Sequence, residues 1–450
     1  QRLARGLDCE NIDFRLQEQD FSDDAAGRQS EGFQTPMAAI DSASAIFLIG
    51  SHIRHEAPIL GQRVRKAWRN GAKVAALNPV DWNFHFDLAE KRIVAPQQMV
   101  AELAGLARAV SKKTGTALPE SLKLEGADAE AAESHAAIAD LLCNGGNTML
   151  ILGQSALAHG QASWLRQLSA WIATASGAAL NTITHGANAT GAALTGALPV
   201  AGEGLNVRHM LTSPRQAYLL WDVEPEYDFA NPALARTALD SAETVVAISS
   251  FAGEDLKACA DVILPLAPMA ESEGLFYTLD GLSQSTSHAV SPAGDAKQGW
   301  KILRRLGEEL ELDGFDQVDI SSLRDEVLAS VARRESGSEG VQLATLETSG
   351  DLYRVGEIAM YSVDGLCRRS EYLQQTVHAD TAFAGLSPDD AGSRGFVDGH
   401  EVKVSQGEQN IILPVRICHE LPTGAVWVKC GTRSATQLGD SFGPISVEAS

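Results

Sequence analysis

Residues 260–285 read ADVILPLAPMAESEGLFYTLDGLSQS, and the order of signals in them decides the fold class. Val262, Ile263 and Leu264 form an apolar run closed by Pro265, the pattern of a short buried strand that stops where proline removes a backbone donor. Glu271 and Glu273 follow, and Gly274 then opens LFYTLDG, a β-rich run that ends at the Asp280-Gly281 turn signal. A strand end, an acidic loop and a hairpin in succession predict the lip of a ligand crevice, because open α/β sheets bind ligands beyond the carboxyl ends of their strands.

The same order occurs twice. In the first copy SAIFLIG predicts a strand, SHIRHEAP a loop, Leu60, Val64, Ala67 and Trp68 recur at helical spacing, AKVAALNP supplies a second strand, and EKRIVAP a third that stops at proline. In the second, AYLLWDVEPEYDFANP, a helix, ETVVAISS and ADVILPLAP follow the same plan. Two strand-helix-strand units predict parallel sheets with two related crevices, or one long crevice between them. The strand-end residues are Gly50, Ser51 and Asn78 in the first copy and Asp222 and Glu224 in the second, with Glu271 and Gly274 at the lip.

Outward from these units, residues 1–135 are expected to form the first α/β unit, with the polar stretch Gln1–Asp24 as the tail of a preceding domain. Acidic residues 119–134 are expected to be a solvated connection. The second α/β unit is expected over 136–335, beginning with the strand TMLILG, and the Ala/Gly/Thr-rich tract 176–202 reads as a close-packed loop. ESGSEGV at 335–341 reads as a linker. Over 345–450, GEIAMYSVDG, HEVKVSQG, NIILPVRI and GAVWVKCG are short β-rich runs that predict a small barrel.

A chain of 450 residues exceeds one ordinary core, and its formal charge of -22 argues against nucleic acid or an anionic membrane as partner. Its 6 cysteines include no CxxC pair, which supports neither a zinc ribbon nor an iron–sulfur cluster, and the compartment reads as reducing. No apolar run approaches the roughly 20 residues that span a bilayer. The start at Gln1, inside a helical-looking segment, leads us to expect a piece of a longer protein.

Motifs for chemistry are sparse. His52, His55 and Glu56 form HxxHE, whose order and setting differ from the HExxH of zinc peptidases, so polar residues at a strand end are the alternative to a metal set. GANATG at 186–191 has phosphate-loop glycines but lacks the lysine, and GSHIR after the first strand lacks GxGxxG. No GxSxG elbow occurs. Asp222, Glu224 and Glu226 could act as a carboxylate set or as a polar crevice wall. No catalytic residue is assigned.

The paired units, with Gly50-Ser51 and Glu56-Ala57-Pro58 in one and Glu224-Pro225 and Asn231-Pro232 in the other, together with ADVILPLAPMAESEGLFYTLDGLSQ, resemble the large subunits of molybdopterin oxidoreductases. Within that superfamily, RGLDCENIDFRLQEQDFSDD, AIFLIGSHIRHEAPILGQRVRKAWRNGAKVAALNP, the stretch from Ala260 to Gly307 and YSVDGLCRRSEYLQQT are similar to the large iron–sulfur subunit, G type, of the NADH:quinone oxidoreductase, respiratory complex I. The resemblance implies two Rossmann-like units that hold a molybdopterin guanine dinucleotide pair in active members, with a β-barrel closing over them. This sequence departs from the active pattern. After Asn11, Asp13 and Arg15, where active enzymes place a Cys, selenocysteine or Ser on the metal, stand Leu16, Gln17 and Glu18; Asp20 could offer a carboxylate as a weak stand-in, and the first crevice loop reads SHIR instead of Asn-Pro.

The expectation is therefore a retained fold with a vestigial crevice at Gly50, Ser51, Asn78, Asp222, Glu224, Glu271 and Gly274, with no metal and no molybdopterin. Iron–sulfur clusters would lie upstream of Gln1. Partners implied are other peripheral-arm subunits of complex I, including the flavin- and NADH-binding subunit, with no nucleic acid and no membrane insertion, on the cytoplasmic face of a bacterial inner membrane. An active molybdenum oxidoreductase of formate dehydrogenase type and a stand-alone small-molecule binding module are the competing expectations.

Overall fold

A computed structural model describes the chain except for residues 25–31, 125–131, 201, 332–342, 347–349 and 380. The first sheet grows on both sides of Ala45–Ile49 (β1). Lys73–Asn78 (β2) and Glu90–Ile93 (β3) lie on one side, Thr148–Leu152 (β4) and Ala179–Thr182 (β5) on the other, and every pairing is parallel. Buried on both faces, β1 sends alternate residues into two cores. Ile46 and Leu48 pack with Leu60, Val64 and Ala67 of the helix Pro58–Arg69. Phe47 and Ile49 pack with Leu103 and Leu106 of Pro96–Thr114 and Leu165 of Ala162–Ser176.

The second sheet is smaller. Ala217–Trp221 (β6), Thr244–Ser249 (β7) and Val262–Pro265 (β8) pair in parallel in that order. One face packs Leu220, Val245 and Ala247 on Ala235, Leu239 and Leu256, and the other packs Ile248 and Leu266 on Ile302 of the helix Gly299–Glu309. Gly274–Tyr277 (β9) and Ser283–Thr286 (β10) form the expected antiparallel hairpin, with Gly281 at φ 82° in its turn. Leu352–Val355 (β11), Ala384–Leu386 (β12), Glu401–Gln406 (β13), Gln409–Ile417 (β14), Ala425–Trp427 (β15) and Phe442–Ala449 (β16) close a barrel in the order β11-β15-β12-β14-β13-β16. The architecture is α/β, two parallel-sheet units and a barrel.

Several local expectations change. β8 is a strand in the expected place, but as the edge of a three-stranded sheet it leaves Val262 46% exposed. β4, expected to open the second unit, pairs with β1, so a boundary at 135/136 would cut the first sheet. The tract 176–202 contains β5, which pairs with β4, and a helix at Ala189–Leu194. GANATG serves the hairpin: Asn188 accepts from Tyr277 N at 2.8 Å and donates to Leu275 O at 3.1 Å. The stretch 119–134 is anchored at its described ends by buried Leu122 and by the helix Ala132–Cys143 that packs on the first sheet. GEIAMYSVDG contributes only an isolated bridge, Ile358 to Cys430, and otherwise leaves the barrel. The linker expected at 335–341 lies outside the described residues.

Gln1–Asp24, expected as the tail of a preceding domain, is bonded to three parts of this chain. Asn11 accepts from Leu205 N at 2.8 Å and Asp13 from Val207 N at 3.1 Å in the second unit. Asp20 accepts from Ser163 N at 2.7 Å in the first, and Gln19 donates to Phe442 O of the barrel at 3.2 Å. Shortening Phe47, 1% exposed at the centre of the first sheet, to alanine is expected to cost about 3–5 kcal/mol. Alanine at edge residue Val262 is expected to cost about 1 kcal/mol or less. Urea unfolding of the two variants checks the contrast.

Candidate functional site

The two copies of the repeat end their first strand in the same way. Gly50 turns beyond β1 at φ 55° and Asp222 beyond β6 at φ 49°, a left-handed conformation that Gly and Asp adopt more readily than most residues. Gly50 N donates to Leu77 O at 2.8 Å and Asp222 N to Ile248 O at 2.7 Å. A side chain then ties neighbouring strand ends together: Ser51 N donates to Asn78 Oδ1 at 2.9 Å in the first copy, and Ser250 N to Asp222 Oδ1 at 2.8 Å in the second. In each copy a carboxylate six positions past the turn, Glu56 or Asp228, folds back on the loop. Glu56 accepts from His52 N at 2.8 Å, and Asp228 from Glu224 N at 2.7 Å. His52 and Glu224 therefore occupy equivalent places at the mouths of two related crevices.

In the first crevice Glu56 also accepts from Ser51 Oγ at 3.0 Å, so both of its carboxyl oxygens are bonded within the loop after β1. β1 and β4 are the neighbours at which strand order reverses, the switch point where α/β sheets take ligands. Their loops meet backbone to backbone: a Cβ on Gly153 would lie 2.3 Å from Ser51 Cα, and one on Gly50 2.6 Å from Ala156 N. Burial of its carboxyl pushes Glu56 up to about 7, against hydrogen bonds that favour the charged form.

Above it His52 stacks on Trp82 at 4.7 Å, and the His55 ring lies 3.6 Å from that of His52. His52 Nδ1 is 3.5 Å from Glu357 Oε2, and Lys429 Nζ 3.1 Å from Glu357 Oε1. Burial alone would raise Glu357, but Lys429 and His52 overcome it and hold the carboxyl down to about 2. Burial, with His52 beside it, pushes His55 down to about 3. HxxHE is thus two rings in tilted contact and a carboxyl turned to its own loop. Among the described residues no group of three or more His, Cys, Asp or Glu could hold a metal ion. Asn78 Nδ2 and Trp82 Nε1 are buried without a hydrogen-bond partner among the described residues, and a water would satisfy either.

In the second crevice Glu224, 4% exposed, receives Arg368 Nη1 at 2.7 Å and Arg369 Nη2 at 2.5 Å, while Arg368 also pairs with Asp228. Burial would raise Glu224, but the two arginines hold it below the usual carboxylate range. The guanidiniums lie over Tyr227 at 4.9 Å and Phe251 at 4.1 Å. The helix Gly365–Arg369 brings both arginines in, and it starts with glycine because a Cβ there would meet Phe251 at 2.7 Å.

The seven sequence-predicted residues divide into three places. Gly50, Ser51 and Asn78 stand together at the first crevice, and Asp222 and Glu224 at the second. Glu271 accepts from Ala293 N at 2.9 Å and Gly274 from Arg324 Nε at 3.2 Å, so both serve the surroundings of the hairpin and not a strand-end loop. Nor do Asp222, Glu224 and Glu226 form one set. Asp222 caps Ser250, Glu224 meets the arginines, and burial pushes Glu226 up to about 6. Sequence reasoning missed Glu56 as a loop closer, as well as Asp228, Glu357, Arg368, Arg369 and Lys429. A carboxylate at the same offset in both copies was the available signal for Glu56 and Asp228.

Near the second crevice, Arg15 pairs with Asp13 at 2.8 Å and with Asp24 at 2.8 Å. Leu16 after it packs into the second core, and Gln17 donates to Asp228 O at 2.7 Å. These residues do not fit an anionic pterin dinucleotide. The switch-point donors are taken by Glu56, Gly153 leaves no width between the loops, the second mouth carries a buried carboxylate, and a leucine follows Arg15. Removing the guanidinium in Arg368→Ala leaves Glu224 and Asp228 short of a partner and is expected to cost about 3–5 kcal/mol, against about 0.5 kcal/mol for the exposed pair broken by Lys257→Ala. Chemical denaturation measures both.

A profile of the molybdopterin oxidoreductase family matches residues 1–309. The chain is 27% identical to the G-type subunit of the NADH-quinone oxidoreductase of Streptomyces coelicolor over 98% of its own length and 56% of that protein. It is 24% identical to the mitochondrial NADH-ubiquinone oxidoreductase 78 kDa subunit of Neurospora crassa over 72% of its length and 39% of that protein. It is 28% identical to the alpha subunit of the NADPH-Fe(3+) oxidoreductase of Geobacter sulfurreducens over 48% of its length and 27% of that protein. It thus spans about half, or less, of the curated relatives it matches. Acetylene hydratase from Pelobacter acetylenicus shares the fold, with a TM-score of 0.68 at 14% identity over 100% of this chain and 84% of that one. With the repeated α/β units, the barrel and the match over more than half its length, the chain belongs to the molybdopterin oxidoreductase family.

Proposed function

We propose that this chain is a non-catalytic scaffold portion of a G-type subunit of an NADH:quinone oxidoreductase, and that it holds no molybdopterin. The observation that carries the proposal is the occupation of both crevice mouths by the chain's own charged groups: Glu56 on the switch-point donors, and Arg368 and Arg369 on Glu224. A cofactor diphosphate would have to displace the first and would face a buried carboxylate in the second, at a desolvation cost of several kcal/mol. The similarity to the Streptomyces coelicolor protein over 98% of the chain supports the assembly to which the scaffold belongs.

In this role the chain does no chemistry. It supports electron transfer from NADH to quinone by iron–sulfur clusters that lie outside these 450 residues, and it packs on other peripheral-arm subunits, including the one that binds flavin and NADH. Among the described residues no helix is long and apolar enough to cross a membrane. With the rest of its subunit, the chain would sit peripherally on the cytoplasmic face of the inner membrane. Elemental analysis for molybdenum and tungsten, with fluorescence of the oxidised pterin, tests the proposal on the purified protein. The expected result is far less than one metal and one pterin per chain. Stoichiometric amounts of both would overturn it.

A further inference from the structure

The two copies of the repeat differ in what lies beside their first strand. β1 has β2 on one side and β4 on the other, whereas β6 pairs with β7 and ends its sheet, with no strand among the described residues on its far side. With the left-handed residues Gly50 and Asp222 aligned, Leu219 stands where Phe47 stands and Trp221 where Ile49 stands. Phe47 is 1% and Ile49 0% exposed, packed with Leu103 and Leu106 and with Leu165 of Ala162–Ser176, the long helix that follows β4. Leu219 is 48% and Trp221 41% exposed. Val246 and Val262 continue the row from Leu219 across the sheet, and the helix Gly299–Glu309 packs with Ile248 and Leu264 on this face, over the far end of the strands. Parallel sheets are covered on both faces, and an open apolar edge strand is a template for another strand. We propose that β6 takes a further parallel strand, followed by a helix lying over Leu219 and Trp221, and that both come from the part of the same subunit outside these 450 residues. The inference rests on the reading of this chain as a portion of a G-type subunit, and it adds where the rest of that subunit joins.

Three observations select that occupant. The first copy shows what fills the place: TMLIL of β4 pairs with β1 in parallel, and the helix Ala162–Ser176 behind it buries the residues equivalent to Leu219 and Trp221. The second unit already draws on remote parts of the polypeptide, since Leu16 and Phe21 of the strap pack in its core while Asn11 and Asp13 bond to Leu205 N and Val207 N. The Streptomyces coelicolor subunit extends well beyond the 56% matched by this chain, which leaves ample length for a strand and a helix. A second copy of the chain would instead bring together two bodies of formal charge -22.

Amide hydrogen exchange at residues 217–221 tests this without any substitution, by comparing the 450-residue chain with the protein isolated from its source. Strand β7, paired on both sides, is the internal reference. In the source protein 217–221 should be protected about as well as 244–249; in the 450-residue chain they should exchange roughly tenfold faster, with 244–249 unchanged. Photo-crosslinking from Leu219→benzoylphenylalanine in the source protein should then join position 219 to a peptide of the same polypeptide outside residues 1–450. Equal exchange at 217–221 in the two proteins would overturn the inference. So would a crosslink to a different subunit or to a second copy, or a source polypeptide no longer than these 450 residues. None of these readouts involves molybdenum or pterin content, so this inference and the absence of a cofactor fail separately.

Discussion

A carboxyl buried beside a strand end must be met by a cation, by hydrogen-bond donors or by a proton, and Glu224 is met by two arginines. Unpaired, it would cost several kcal/mol; paired with Arg368 and Arg369 it fixes the loop after β6 to a helix inserted between barrel strands β11 and β12. The same inserted segment begins at Glu357, which lies between His52 of the first sheet and Lys429 of the barrel. One excursion of the chain is thereby pinned at both crevice mouths. The strap that carries Asn11, Asp13, Gln19 and Asp20 makes comparable bonds to the second unit, the first unit and the barrel. These polar contacts join the three bodies alongside apolar packing, in which Tyr353, Val355 and Phe442 of the barrel meet the first core.

The two crevices share a backbone and differ in charge. A left-handed residue, a cross-strand N–H bond and a carboxylate folded back on the loop recur in each, yet equivalent mouths carry His52 in one and Glu224 in the other. The strand-end geometry follows from the parallel sheet and is kept in both copies, whereas the side chains at the mouth answer to whatever packs over them. Here that covering layer is protein: Glu357 with Lys429 on one side, Arg368 with Arg369 on the other.

Much of the fold could be read locally. Apolar runs bounded by proline and glycine located β1, β2 and β8, and the Asp280-Gly281 turn located the β9–β10 hairpin, because strand ends and tight turns depend on a few adjacent residues. Sheet membership is different. β4 pairs with β1 across a long intervening stretch of chain, and β5 is held by β4 even though Ala179–Thr182 lacks the bulk that marks a strand, so neither fact was legible in the residues themselves. The departure at Arg15 and the strand-end positions Ser51, Asn78 and Glu224 were legible as well. Their occupants were not, since Arg368 reaches Glu224 from 144 positions away and Glu56 stood in a histidine motif that drew attention to metal instead of to the backbone.

An experimental density map of the protein isolated from its source tests most directly whether protein side chains, and not a cofactor, fill these crevices. The expected map shows side-chain density for Glu56 joined to Ser51 Oγ and the His52 amide, and for Arg368 and Arg369 joined to Glu224. A fused-ring pterin with its diphosphate lying between Ser51 and Gln154, with Glu56 turned away, would contradict it.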